Sequence, residues 1–143
     1  MTGLPGRVLG VDYGSRRVGL AVSDPLRVVT RGLGVVANAP DLPAAIAARA
    51  REEGVVLIVV GMPYAPDGGA GAKGEEVSRF IAALREQTDL PVATWDESFT
   101  SAGARQAFID GGMKKGKRRE KGRVDEMAAR LLLQEFLEST HQH

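Results

Sequence analysis

The chain contains no cysteine. That excludes disulfides, zinc sites built on thiolates and a cysteine nucleophile, and it fits a cytoplasmic protein. Long apolar runs are missing as well. None approaches the roughly 20 residues needed to span a bilayer, so no membrane partner is expected. The opening MTGLPGRVLGVD has no basic stretch ahead of an apolar one, and no signal peptide is expected. Histidine is scarce: His141 and His143 lie in a polar C-terminal tail and are given no role.

Net charge is also nearly absent, at +1, but the balance hides an asymmetry. Residues 114–123 hold seven cations (Lys114, Lys115, Lys117, Arg118, Arg119, Lys121 and Arg123) and one acid, Glu120. This segment carries +6 and leaves −5 on the rest of the chain. A solvated charged loop is the usual meaning of such a run. A concentrated basic segment also attracts phosphate, which makes nucleic acid a candidate partner.

With 143 residues, of which 43% are hydrophobic, the chain suits one globular domain over 1–143. Its ordered core is expected over about 7–137. Residues 7–12 (RVLGVD) and 18–23 (VGLAVS) read as strands joined by the turn Gly14-Ser15-Arg16-Arg17, and 28–36 as a third strand. Asp41-Leu42-Pro43 marks a helix start with a capping Asp, and Gly54 marks its stop. The run VVLIVV at 55–60 has the character of a strand buried on both faces. After a Pro/Gly-rich loop at 61–74, a helix is expected over 75–87, where Val77, Phe80, Ile81 and Leu84 share a face. A short strand at 92–95, a short helix at 101–110 and a last helix at about 124–137 complete the order. The expected fold is α/β: a mixed five-stranded sheet, made of a three-strand antiparallel meander plus two parallel strands, flanked by helices.

Three acids stand out. Asp12 closes the first strand and shares a face with Val8 and Gly10. Glu97 lies just past the fifth strand. Asp125 opens the last helix on a stripe with Ala129, Leu132 and Phe136, which should face the sheet. If the first, fourth and fifth strands run parallel, these acids meet at the carboxyl edge, where open α/β sheets bind ligands. Converging carboxylates repel one another unless neutralised, and hard divalent cations such as Mg²⁺ or Mn²⁺ do that. Two such ions roughly 4 Å apart suit phosphodiester cleavage. Each acid also has a plainer reading. Asp12 could form a turn, Glu97 could enter a helix, and Asp125 could complement a helix dipole.

The residues VDYGSRRVGLAVSD at 11–24 resemble the opening motif of the YqgF family, also called RuvX. Val60-Gly61-Met62-Pro63, followed by Asp67-Gly68, resembles that family's G-x-P loop. Trp95-Asp96-Glu97-Ser98 with Thr100-Ser101 resembles its D-E-R-x-T-T segment. The basic stretch running into Val124-Asp125-Glu126-Met127-Ala128-Ala129 resembles its K-rich loop and V-D-x-x-A-A helix. The likeness covers about 7–137. It implies an RNase H-like fold and a metal-dependent nuclease, acting on the 5′ end of pre-16S rRNA or, alternatively, on Holliday junctions. It also implies that Asp12, Glu97 and Asp125 hold metal, with Mg²⁺ or Mn²⁺ bound as a pair. Ser98 stands where the family usually has Arg, and Ser101 replaces the second Thr.

Around that triad, Gly14 would let the backbone approach phosphate, and Arg16 and Arg17 could contact it. Lys114, Lys115, Lys117, Arg118, Arg119, Lys121 and Arg123 would grip the nucleic-acid backbone. The expected partner is structured RNA or branched DNA, with the protein a monomer or weak homodimer. Tyr13 and Tyr64 could stack on bases or pack internally, and Trp95 is expected in the core. Two motifs are decoys. Residues 69–74 match G-x-G-x-x-G but do not abut a strand. Residues 111–117 match G-x-x-x-x-G-K but continue with Arg118 instead of Ser or Thr. A non-catalytic binding module is the rival from another class, and an intact acidic triad is the feature that argues against it.

Overall fold

The computed structural model describes residues 5–63, 71–97 and 121–141. Five strands form one sheet: β1 (Arg7–Asp12), β2 (Arg17–Ser23), β3 (Thr30–Ala37), β4 (Val55–Met62) and β5 (Val92–Asp96). Their spatial order is β3-β2-β1-β4-β5. The meander β1-β2-β3 is antiparallel, while β4 and β5 join parallel to β1. The mixed sheet expected from the sequence is the one that forms. Helices intervene before β4 and before β5, and such crossovers return the chain in the same direction.

Strand periodicity divides the core in two. Leu9, Val11, Leu20, Ile58 and Val60 point to one face, under α1 (Leu42–Glu53) and α2 (Gly71–Gln87). Val8, Ala21 and Val59 point to the other, under α3 (Lys121–His141). Helix α3 meets that face through Ala129, Leu132, Leu133 and Leu137. Burial on both faces explains why β1, β2 and β4 are nearly continuous apolar runs. Gly10 is what lets α3 come so close. A Cβ there would sit 2.9 Å from Leu133 Cβ and 3.3 Å from the Ala129 carbonyl oxygen.

Several boundaries differ from the sequence expectation. Strand β3 starts at Thr30, not 28, because the Asp24 carboxylate accepts the amides of Val28 (2.7 Å) and Val29 (2.9 Å) and shapes a turn there. Those amides, Val29 foremost, hold the Asp24 carboxyl below the usual carboxylate range. Asp41 occupies the N-cap of α1 without a side-chain cap bond, its backbone (φ −89°, ψ 10°) lying outside the extended region that such a bond needs. Helix α2 begins at Gly71, four residues early, with buried Gly74 inside it. Helix α3 extends past 124–137 at both ends, so Lys121 and Arg123 belong to it. Near its C-terminus Ser139 and Thr140 donate to the carbonyls of Phe136 and Leu137, which carries the polar tail onward as helix. Among the described residues no helix is long and apolar enough to cross a membrane.

Leu133 is fully buried between β1 and α3. Leu133→Ala should cost about 2–5 kcal/mol. The expected readout is a lower urea midpoint at unchanged m-value, since the lesion is a cavity and not a change in the surface exposed on unfolding.

Candidate active site

Asp12 ends β1 on the α3 side of the sheet, in phase with Val8 and Gly10, and its antiparallel partner is Gly19 on β2. The first turns of α3 lie directly over that pair. A Cβ on Gly19 would fall 2.1 Å from the Asp125 carbonyl oxygen, so only glycine permits this approach. Asp125 thus stands above the cross-strand neighbour of Asp12. The expected apolar stripe does face the sheet, with Ala129 and Leu132 buried and Phe136 packed beside them.

Glu97 arrives from the other side. Gly61 of β4 pairs with Trp95 of β5, two residues short of Glu97. The Glu97 side chain folds back over Gly61, where a Cβ would lie 2.5 Å from Oε1 and 2.9 Å from Cδ. Two glycines at one level of the sheet therefore clear space for two acids. Gly19 admits the backbone of Asp125, and Gly61 admits the carboxylate of Glu97. The sequence reading named Gly19 and Gly61 only within motifs and gave neither a packing role. Their signal was available: Gly10, Gly19 and Gly61 fall on the strand phase of Asp12, inside otherwise bulky apolar runs.

The acids share one face and one edge, but they are not drawn into a ligating group. Among the described residues no set of three or more acids or histidines is close enough together to hold an ion. Arg17 supplies the counter-charge for Asp125, with Nε donating to Oδ2 at 2.7 Å. The two side chains are 37% and 28% exposed, so the pair contributes at most about 1 kcal/mol to stability. Its consequence is orientation, since it fixes which way the Asp125 carboxylate turns. The donor type, carboxylate oxygen, is the one that hard divalent cations take, and the close packing at Gly19 and Gly61 keeps Asp125 and Glu97 on the same face as Asp12.

The turn after Asp12 is tied down on all sides. A Cβ on Gly14 would meet the Arg17 carbonyl oxygen at 2.3 Å, so the tight turn itself requires glycine. Asn38 donates its side-chain amide to the Gly14 carbonyl (2.7 Å) and its backbone amide to the Arg16 carbonyl (2.9 Å). The Arg16 side chain is exposed at the tip of this turn. Tyr13 points to the opposite face, where it packs on Phe80 with ring centroids 5.1 Å apart and bonds Glu76 Oε2 at 2.7 Å. Burial, the largest influence, pushes its phenol pKa up, so the hydroxyl remains a donor. Trp95 lies in the α3-side core, edge-on to Phe136 at 6.2 Å. Tyr64, Ser98, Ser101, the helix expected at 101–110, and Lys114, Lys115, Lys117, Arg118 and Arg119 lie outside the described residues.

Comparison with known proteins follows the same lines. The pattern of the RuvX family, described as Holliday junction resolvase, matches residues 6–139. A protein of Desulforamulus reducens named "Putative pre-16S rRNA nuclease" is 37% identical over 136 residues, covering 93% of this chain and 97% of its own. One of the same name from Phocaeicola vulgatus is 39% identical over 134 residues, covering 93% and 96%. Among solved structures, Thermus thermophilus RuvC in complex with a Holliday junction substrate aligns with a TM-score of 0.60 at 18% identity, covering 96% of each chain. The fowlpox virus resolvase bound to Holliday junction DNA aligns with the same TM-score at 12% identity, covering 94% and 98%. At these identities the structural likeness establishes the fold, which is RNase H-like.

Gly61→Ala tests the cradle. A methyl group there must displace the Glu97 carboxylate, and a misplacement of about 1 Å at a reacting centre costs on the order of 10²-fold in rate. The variant should keep its circular dichroism spectrum and lose most of its metal-dependent cleavage. Cleavage at the wild-type rate would remove Glu97 from the site.

Proposed function

The chain belongs to the RuvX family and is a nuclease, and we propose that it is a divalent-metal-dependent one that trims the 5′ end of precursor 16S rRNA in the cytoplasm. What supports the reading is that three acids from separate elements lie on one face at the carboxyl edge of the sheet. Asp12 lies opposite Gly19 beneath Asp125, and Glu97 lies over Gly61. A protein that only bound nucleic acid would gain nothing by gathering negative charge beside phosphate.

Asp12, Glu97 and Asp125 would hold Mg²⁺ or Mn²⁺, as a pair of ions, through carboxylate oxygens. Bound there, the metal supplies positive charge at the phosphodiester and makes the attacking water more acidic. Asp12 contributes from a strand whose neighbours on both sides are hydrogen-bonded, so its position is rigid. A Glu97 oxygen not engaged in ligation can accept the proton of the attacking water. Arg16, Arg17 and the basic run 114–123 would supply cations to the nucleic-acid backbone. Precursor 16S rRNA is the substrate in the names of the curated relatives, which supports RNA for this chain. The family description and the solved neighbours support a second reading, cleavage of four-way DNA junctions. Symmetric cuts in a junction would favour a dimer, whereas trimming one RNA end suits a monomer.

The deciding experiment compares labelled precursor RNA, single-stranded RNA and four-way DNA junctions, each with Mg²⁺, Mn²⁺ or chelator. Wild type should cut the precursor RNA in a metal-dependent way. Asp12→Asn should lower that rate by at least about 10³-fold while leaving RNA affinity within a few-fold, because one ligand is lost and no phosphate contact is. Preferential cutting of the junction would reverse the substrate assignment. Neutralising Lys117, Arg118 and Arg119 together should do the opposite of Asp12→Asn. Binding should weaken and the slope of log K against log salt should shrink by about 2, at roughly 0.7 per single-strand phosphate contact.

A further inference from the structure

We infer that Glu126, the neighbour of Asp125, is a positioning residue for the reaction: its carboxylate pins the start of α3 to a bulge in β3 and so sets where Asp125 stands. The inference rests on the nuclease reading above and adds to it a residue that touches no substrate.

Four observations meet at this point. Glu126 Oε2 accepts the backbone amide of Gly34. The β2–β3 ladder shifts register between Leu20 and Ala21, whose partners are Gly34 and Gly32, so Leu33 is the extra residue of a bulge. Gly34 has φ +84°, a conformation that an L side chain adopts only under strain. Gly32 clears the way for the carboxylate, since a Cβ there would fall 2.3 Å from Glu126 Cδ and 2.6 Å from Oε2. The bulge thus turns an amide toward α3, and the residue one step before it leaves the gap through which Glu126 reaches that amide. A carboxylate accepting an amide proton makes a charge-assisted bond, stronger than a neutral one.

Position in the helix explains the need. Asp125 and Glu126 lie in the second turn of α3, close to an end where helices fray and where the first amides lack intrahelical partners. The apolar seam that holds α3 to the sheet begins at Met127, Ala128 and Ala129, beyond both acids. Two polar bonds hold the turn before that seam. Arg17 of β2 bonds the Asp125 side chain, and Gly34 of β3 receives the Glu126 side chain. They act on adjacent residues from neighbouring strands, and the Gly19 approach fixes the height of the backbone between them. The Arg17 pair turns the carboxylate of Asp125, while the Glu126 bond places its backbone.

The test uses the full chain with Glu126→Ala, Glu126→Gln, Gly32→Ala and the double variant Glu126→Ala/Gly32→Ala. Readouts are precursor-RNA cleavage, Mn²⁺ affinity without RNA by electron paramagnetic resonance, and amide hydrogen exchange. Glu126→Ala should lower kcat about tenfold or more with KM within twofold, weaken Mn²⁺ several-fold, and speed exchange of the Gly34 amide and of 124–128 relative to 130–137. Glu126→Gln should restore most of the rate, because its amide oxygen can still accept the Gly34 proton. Gly32→Ala should mimic Glu126→Ala, and the double variant should be no worse than either single one, since both remove the same bond. Wild-type kcat and Mn²⁺ affinity in Glu126→Ala would overturn the inference, as would additive losses in the double variant. Failure of wild type to cleave any substrate or bind Mn²⁺ would overturn the nuclease reading and the positioning role with it. Protection of the Gly34 amide would then still report whether the bond exists.

Discussion

The close seating of α3 on one face of the sheet is the constraint on which the rest of the structure depends. Three glycines on that face allow it. Gly10 admits Leu133 and the Ala129 carbonyl, Gly19 admits the Asp125 backbone, and Gly32 admits the Glu126 side chain. A larger residue at Gly10 or Gly19 would lift the helix, and the apolar seam through Ala129, Leu132, Leu133 and Leu137 would lose its contact with Val8, Ala21 and Val59, whereas one at Gly32 would displace the Glu126 carboxylate. The same contact that buries the second core also delivers an acid to the sheet edge. Stability and site geometry therefore share one interface, and a mutation that loosens one loosens the other.

The two faces of the sheet divide the labour. The face under α1 and α2 is a packed core that reaches to the end of β1, where Tyr13 packs on Phe80 and bonds Glu76. That anchoring holds Tyr13, and with it the backbone of the adjacent Asp12, in place from behind. The face under α3 changes character along its length. It is apolar in the middle and turns acidic at the carboxyl ends of β1 and β5, where the cover of α3 reaches its own N-terminal turns. Charge at that edge is managed locally, by Arg17 for Asp125 and by the Gly34 amide for Glu126. The Arg17 pair adds little to stability, and both contacts decide orientation, which is what a site built from separate elements needs most.

The fold was largely legible in the residues themselves. The apolar runs at 7–12, 18–23 and 55–60 and the 3-1-3 spacing of Val77, Phe80, Ile81 and Leu84 each report burial, and burial is what the hydrophobic effect writes into sequence. Boundaries were less legible because short polar contacts set them. The Asp24 carboxylate delays β3 to Thr30 by taking two amides. Helix α2 starts at Gly71 although local propensity argues against glycine there, with Lys73 over the Tyr13 ring at 5.5 Å and Gly74 buried.

By itself the sequence determined the α/β class, the strand phase that puts Asp12 and Gly10 on one face, the helical stripe that carries Asp125 inward, and the position of Glu97 just past the fifth strand. It could do so because residue type and short-range period are local properties. Only the tertiary structure decided that Asp125 sits over the cross-strand partner of Asp12, that Glu97 folds back onto Gly61, and that Arg17 and Gly34 hold adjacent acids of α3 from neighbouring strands. Those relations join residues about 90 or more positions apart in most cases. They depend on sheet order and on how near a helix can approach a glycine, and no local pattern encodes either.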